Sequence, residues 1–556
     1  MIGALLMYVI ACLPSLLFIQ HFHGPHTMLL LFVLCSIVLF IFIAIAIIYF
    51  KLIYPQKQLY NKFRAQGISM EPFVPLVGQL PEIRKKRNKD EQMIYQEELV
   101  AKHGNVYVFG FGPLTRLVLV EPNLLADVLS RNNATNYEKP SDFVTAFIPI
   151  IGSHNLLTSG GSEHERARRM LNPAFHHISL KSMISIITDC TSKSIESILS
   201  KEENTKPVDL QILFNRLTLS IIASSAFGAD FETNAHSKDD ICRIFGEMLE
   251  ITEYRGMRMI NQISFLSRLP FWHKNELDAA NKKVSEFVDQ IISDRRQGRS
   301  SSMSTGADLL DLLISAVDDE GVPFTDQEIK EESLTFVIAG SETTGNLMTW
   351  ILYVLMTNEN VLEACREEVD RVLPNGIEPT NEHLADLVRH FSYVNARTNE
   401  HLADLVVCEA VISETLRLYP PAPFFLRECT HEHTIGTEHP IRIPKGASIL
   451  VDAYTLHRRS DLWPRPLEFD YTRWMRDPKT NLKPKLAHSF AFLPFAAGPR
   501  SCIGQNFALL EAKIMLAMFV EKCNFNMIPG QKITPDVKIT MRPKYGLLAK
   551  ISRRET

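Results

Sequence analysis

One stretch concentrates the residue types that hold and tune a metal. Phe495-Ala496-Ala497-Gly498-Pro499-Arg500-Ser501-Cys502-Ile503-Gly504 runs directly into Gln505 to Val520, a segment with helical periodicity. A cysteine at a helix N-terminus, flanked by glycine and two residues from an arginine, can be held as thiolate, the form that ligates iron. A lone cysteine is more often a small buried hydrophobe, so the weight rests on its neighbours. A second stretch, Ala339-Gly340-Ser341-Glu342-Thr343-Thr344, lies inside Glu332 to Leu355, which is apolar nearly all round. Glycine in mid-helix costs about 1 kcal/mol against alanine, and a carboxylate on an apolar helix costs more unless it is partnered. Costs of that kind point to chemistry. In a third stretch, Glu414-Thr415-Leu416-Arg417, the spacing sets acid and base on one helix face, where they can pair.

Taken together, and in the order 339–344, 414–417 and 495–504 along the chain, the three stretches resemble the cytochrome P-450 monooxygenases. The haem loop Phe-x-x-Gly-x-Arg-x-Cys-x-Gly is matched at Phe495, Gly498, Arg500, Cys502 and Gly504, with Ala496 where the family more often has Gly or Ser. The resemblance covers roughly residues 60 to 550. It implies that Cys502 is the axial ligand of haem b (iron protoporphyrin IX), with Phe495, Gly498, Arg500 and Gly504 shaping the loop around it. It implies a proton-delivering acid–alcohol pair in Glu342 and Thr343, with Gly340 letting oxygen approach the backbone. Glu414, Arg417 and Arg473 would form a buried structural triad, although Tyr471 and Trp474 replace the usual Pro and Phe around the last of these. Arg168 resembles the family's propionate-binding arginine, with His164 where a Trp is usual; Arg427 and His457 occupy further propionate-contact positions.

The elements that must position these residues are mainly helical from about residue 90 onward, with short β-like pieces such as Val106 to Phe109 and Thr115 to Val120. The expected fold class is mainly α with a minor β-sheet lobe, the cytochrome P-450 fold, behind an N-terminal transmembrane anchor. Met28 to Phe50 holds 23 residues without a formal charge, and about 20 suffice to cross a bilayer core. Ile2 to Ile19 is a second apolar stretch, so the anchor is either a hairpin or a single span with an interfacial segment. Lys51, Lys57, Lys62 and Arg64 follow it and place the remainder in the cytosol. Domains are assigned as 1–54 membrane anchor, 55–90 proline-rich extended hinge and 91–556 haem-thiolate domain. The basic run Arg84 to Lys89 is read as a solvated loop. The nonapeptide TNEHLADLV occurs at 380–388 and again at 398–406. Nothing else repeats this period, which excludes a solenoid. Residues 397–410 are expected to form a surface loop or short added helix before the Glu414 helix.

Composition narrows the function classes. With 59 Lys+Arg against 63 Asp+Glu, there is no cationic field for a polyanion, so no nucleic-acid partner is expected. Nine cysteines without a CxxC pair exclude a zinc ribbon and a disulfide framework, in keeping with a reducing compartment. The resemblance implies a monooxygenase at the endoplasmic reticulum membrane, its catalytic domain facing the cytosol. One oxygen atom of O2 would enter an apolar lipid, sterol or xenobiotic, with electrons from NADPH through a flavin-containing reductase and cytochrome b5 as an additional partner. Two alternatives stay open: a haem-thiolate isomerase or dehydratase, and a non-catalytic haem-binding protein. The segment Tyr137 to Asn155, placed to contact substrate, carries no motif.

Overall fold

The computed structural model describes residues 25–130, 133–175, 177–200, 206–228, 235–256, 269–299, 308–373, 405–477, 479–480 and 482–555. Helices dominate, and local chemistry sets their ends. The 32-residue helix Asp326–Thr357 opens on a capping box, in which Thr325 Oγ1 accepts from the Glu328 N–H and the Glu328 carboxylate accepts from the Thr325 N–H. It packs along Leu210–Phe227, and Gly345 permits the close approach: a Cβ there would meet Asn215 Oδ1 at 2.1 Å. Leu210–Phe227 is apolar enough to span a membrane, yet 67% of it is buried, which makes it a core helix.

A six-stranded sheet forms the smaller lobe, in the order Ser69–Met70, Val106–Phe111, Leu114–Leu119, Ser448–Asp452, Phe424–Cys429, Tyr137–Glu138. The second and third strands form a hairpin in which Val106 faces Leu119 and Phe111 faces Leu114. The fourth runs parallel to the third, pairing Arg116 with Ser448. One hydrophobic core gathers around the central helix Asp326–Thr357 and another beneath this sheet. The cysteine helix Gln505–Lys522 lies in the first, its residues from Leu510 to Glu521 all buried.

The N-terminal helix Pro25–Ile48 is apolar and solvent-facing, with Phe32 and Phe40 each 72% exposed. It continues through a π-helical turn, Tyr49–Ile53, into Tyr54–Arg64. Residues 1–24, which hold the other apolar stretch, lie outside the described residues. The region 55–90 is not the extended hinge that its prolines suggest. Leu59 and Phe63 are buried in the sheet core, and Gln56 accepts from both the N–H and the hydroxyl of Thr115 at 2.8 and 3.1 Å. Ser69 and Met70 pair with Tyr107 and Val108. The basic run is likewise not a solvated loop but part of the helix Leu80–Asn88. Lys86 is bonded to Glu98, and Arg87 reaches Asp536 through two bonds of 2.8 and 2.7 Å. Proline fixes φ only where it stands; the apolar residues between the prolines decided the packing.

Of the repeat, 380–388 lies outside the described residues, and only Leu405 and Val406 of the second copy are within them. Residues 406–410 do not form a surface loop. They are the first turns of the Glu414 helix, Val406–Leu418, with Leu405, Cys408 and Ala410 buried. Glu368 caps that helix, accepting from the N–H groups of Val407 and Cys408 at 2.7 and 2.8 Å.

Candidate active site

The cysteine loop is folded tightly on itself. The Cys502 N–H donates to the Phe495 carbonyl at 2.9 Å, and the Ser501 N–H to that of Gly498 at 3.0 Å. Gly498 has φ +75° and passes so close to Leu129 that a Cβ would lie 2.0 Å from its carbonyl oxygen. Only glycine satisfies both conditions. Ala496, the departure from the family pattern, sits at φ +57°, so the backbone there carries the strain that glycine would avoid. Cys502 retains open side-chain surface while burial raises its thiol pKa; together these describe a thiol facing an enclosed cleft. The Gly504 N–H, Arg168 and Lys139 act in the other direction, favouring the thiolate.

Around this thiol the fold gathers cations from distant segments. Arg168 donates to the Ser501 carbonyl at 2.6 Å, and Arg500 to the Ser159 carbonyl at 2.8 Å. Arg427 lies buried over the Phe425 ring, with its Nη2 unmatched by any hydrogen-bond acceptor. Burial pulls the pKa of both Arg427 and Arg500 down to about 10, with Arg500 acting on the former and Arg168 on the latter against Glu138 and Glu165. His164 is driven down to about 3 by burial, then by Arg500, Lys139, Arg168 and Arg427. Lys139, which no sequence motif singles out, is pushed far below its usual range by burial, Arg500 and Arg427. Such a cluster of mutually repelling, desolvated donors is complementary to an anion with several carboxylate oxygens. A thiol ligand beside an anion cradle fits haem b, with its central iron and two propionates.

His457 does not join the cradle. It is fully buried, its Nε2 accepts from the Leu493 N–H at 2.8 Å, and its ring packs 5.2 Å from that of Phe492. Its carbonyl accepts from Arg417 instead, within the scaffold around Glu414. There Arg417 donates to both Glu414 oxygens at 2.9 and 2.8 Å, and Arg473 Nε approaches Glu414 Oε1 at 3.2 Å. Trp474 Nε1 adds a bond of 2.8 Å, so the tryptophan that departs from the family pattern contributes a donor a phenylalanine lacks. The remaining Arg417 donors reach the carbonyls of Pro466 and Glu468. Every oxygen of this buried acid is thereby matched.

On the central helix, Ala339 is exposed and Gly340, Glu342 and Thr343 are half-buried, a patch of open surface amid buried neighbours. The Thr343 hydroxyl donates to the Ala339 carbonyl at 2.8 Å, leaving its lone pairs to accept. Gly340 packs closely on the neighbouring helix, where a Cβ would stand 3.1 Å from Ile222 Cγ1. Thr344 lies against Glu511 of the cysteine helix, a fully buried carboxyl that desolvation raises well above the usual range while Thr344 opposes the shift. No hydrogen bond joins them: the Thr344 hydroxyl and both Glu511 oxygens are buried without a partner among the described residues.

The family model for cytochrome P450 matches residues 69–549. The chain is 28% identical over 513 residues to cytochrome P450 709B1 of Arabidopsis thaliana, covering 88% of this chain and 92% of that protein. It is 29% identical over 481 residues to cytochrome P450 4F12 of Homo sapiens, covering 83% and 85%, respectively. To cyclooctatin synthase of Streptomyces melanosporofaciens it is 30% identical over 448 residues, covering 80% and 87%. With a thiol at the mouth of a cation-lined cleft and a family match over most of its length, the chain belongs to the cytochrome P450 family and is a haem-thiolate monooxygenase.

Proposed function

We propose that the chain oxidises an apolar small molecule at the cytosolic face of the endoplasmic reticulum, using electrons from NADPH delivered by a flavin-containing reductase, with cytochrome b5 as a second donor. The observation that carries this reading is the arrangement of Cys502, open to the cleft, beside Lys139, His164, Arg168, Arg427 and Arg500. The anchor assignment is supported by the exposed apolar helix Pro25–Ile48.

Each residue has a task in this reading. Cys502 would supply the sulfur ligand to the haem iron, and the Gly504 N–H would moderate its charge. Arg168, Arg427, Arg500 and Lys139 would hold the two haem carboxylates, with the neutral imidazole of His164 as a further hydrogen-bond donor. When bound, haem supplies the activation of O2 and the transfer of one oxygen atom to substrate. Thr343 and Glu342 would move protons beside the bound group: Thr343 Oγ1 can accept from a donor on the acid or a water, then rotate its own proton away from the Ala339 carbonyl. Glu414, Arg417 and Arg473 fix the backbone of 457–468 beneath the site.

The test is spectroscopic, then catalytic. Reduced protein with carbon monoxide should show the red-shifted thiolate Soret band, and Cys502→His should abolish it while leaving the fold intact by circular dichroism. Product that depends on NADPH and reductase supports the monooxygenase assignment. Turnover without them would favour an isomerase or dehydratase, and a thiolate spectrum without any product a non-catalytic haem protein.

A further inference from the structure

The segment Gly152–Ser159 joins the two stretches that carry the cradle, with Lys139 ahead of the helix Ser141–Ile151 and His164 and Arg168 on the helix Gly161–Leu171 behind. It is closely knit. Asn155, fully buried, accepts from the N–H groups of Leu157 and Thr158 at 2.9 and 3.1 Å and donates to the Ile151 carbonyl at 2.9 Å. Its last residue presents the carbonyl that accepts from Arg500, two positions from Cys502.

Two carboxyl groups on the central helix seat this segment. Glu331 accepts from the His154 N–H, and Glu332, fully buried, accepts from the Leu156 N–H through both oxygens at 3.0 and 3.2 Å. The fit is exclusive: Gly152 stands at φ +77°, and a Cβ there would lie 1.9 Å from the Glu331 carboxyl carbon. Neither acid belongs to a motif of the site, and neither touches the cysteine loop.

We propose that Glu332 is a positioning residue for the anion cradle: its bond to Leu156 sets Gly152–Ser159, and that segment sets Arg500 through the Ser159 carbonyl and His164 and Arg168 through the start of their helix. The proposal rests on the reading of the cradle as the haem carboxylate site.

A pH readout separates this role from inert packing. Burial raises Glu332 to about 8; the bond from the Leu156 N–H, which favours the carboxylate, opposes this without cancelling it, and Glu328, Glu331 and Glu163 add repulsion. The cations nearby are committed elsewhere, Arg166 to Asp318 and Glu328, and His154 to Glu163. A docked segment therefore retains a proton that a water-exposed carboxyl, with its ordinary value of about 4.5, would release. Docking is favoured at low pH and weakens as pH rises through this window, by up to roughly tenfold per unit, levelling off above its upper end.

The experiment is amide hydrogen exchange at His154 to Ser159 in the full chain, corrected for intrinsic rates, across pH 6 to 8.5, together with haem release to an excess of apo-globin. Wild type should lose protection at the Leu156 N–H as pH rises. Glu332→Gln, which keeps an acceptor but cannot ionise, should remain protected with no pH slope and release haem at every pH at the rate that wild type shows at pH 6. Glu332→Ala should lose protection throughout and release haem roughly tenfold faster or more. A wild-type slope in Glu332→Gln, full protection in Glu332→Ala, or loop exposure without faster haem release would each overturn the proposal. Failure of wild type to show a thiolate spectrum would instead reject the haem reading, and the exchange data would still report on the Glu332 bond.

Discussion

Thr343 has one hydroxyl proton and gives it to the Ala339 carbonyl. Its contribution at the cleft is therefore a movable acceptor and donor, which alanine removes without disturbing the buried neighbours. Thr343→Ala should keep haem and carbon monoxide binding while NADPH oxidation yields mainly hydrogen peroxide, product per NADPH falling roughly tenfold or more, in line with the usual value of a positioned proton donor. Peroxide and product assays on the same sample check it, and unchanged coupling would remove Thr343 from the mechanism. Lys139 invites a second substitution, because its influences are burial, Arg500, Arg427 and the Cys502 sulfur. Loss of one charge-assisted bond to a carboxylate costs about 1.5–3 kcal/mol, so Lys139→Met should hasten haem release roughly 10- to 100-fold, with Lys139→Arg restoring it. The contrast between these residues explains what the sequence could disclose. Cys502 and Thr343 stand in contiguous patterns whose spacing is itself the geometry. Lys139 meets Arg168, Arg427 and Arg500 only through the fold, and His457 carries the right chemistry at a position where its Nε2 binds Leu493 and its Nδ1 is buried without a partner among the described residues.

The Glu414 helix shows how an element can be recognisable while its boundary is not. The pairing of Glu414 with Arg417 follows from their spacing, but the first turn comes from residues that the repeat suggested were dispensable. Glu409, in that turn, bridges Lys513 of the cysteine helix at 3.1 Å and Lys483 at 2.6 Å. Burial would raise its pKa, yet Lys513 and Lys483 together bring it down to about 2. A folded value below the unfolded one means stability that is present above about 4.5 and lost as pH falls toward 2, amounting to about 3 kcal/mol at neutral pH. Deleting residues 397–410 would place Asn395 where Glu409 stands and Val394 in place of Cys408. The second exchange adds roughly a methyl group at a buried position, whereas the first takes the carboxylate from a buried lysine, at about 3–5 kcal/mol. The deletant should therefore have a lower thermal midpoint than the full chain and a flatter stability profile between pH 5 and pH 3. Adding Asn395→Glu to the deletion should restore both, and a deletant as stable as the parent would show that this bridge adds nothing.

For the molecule as a whole, composition and hydropathy separate a membrane-seeking end from a globular body, but they place the seam too late. Polar and proline residues after the anchor look like linker, and no local pattern in 55–90 announces a partner 50 residues onward. The structure docks Leu59 and Phe63 into the sheet core and runs Ser69 and Met70 beside Tyr107 and Val108, contacts that only the tertiary fold supplies. Physical separation therefore falls where exposure ends, between the helix Pro25–Ile48, whose apolar side chains face outward, and Tyr54–Arg64, whose apolar face is buried. Truncation of residues 1–48 should release the protein from membranes into the soluble or peripheral fraction with its thiolate spectrum and thermal midpoint intact, since no described side chain from Leu29 to Ile48 is buried. Extending the cut to residue 66 removes Leu59, Phe63 and the Gln56 bonds to Thr115. At roughly 2–5 kcal/mol for each large apolar side chain taken from a core, that variant should lose much of its haem-bound yield. Flotation, carbon monoxide spectra and thermal melts on the two truncations check both halves. Haem loss already at the shorter cut would mean that the exposed helix supports the body, and equal behaviour of the two would mean that the docked helix does not.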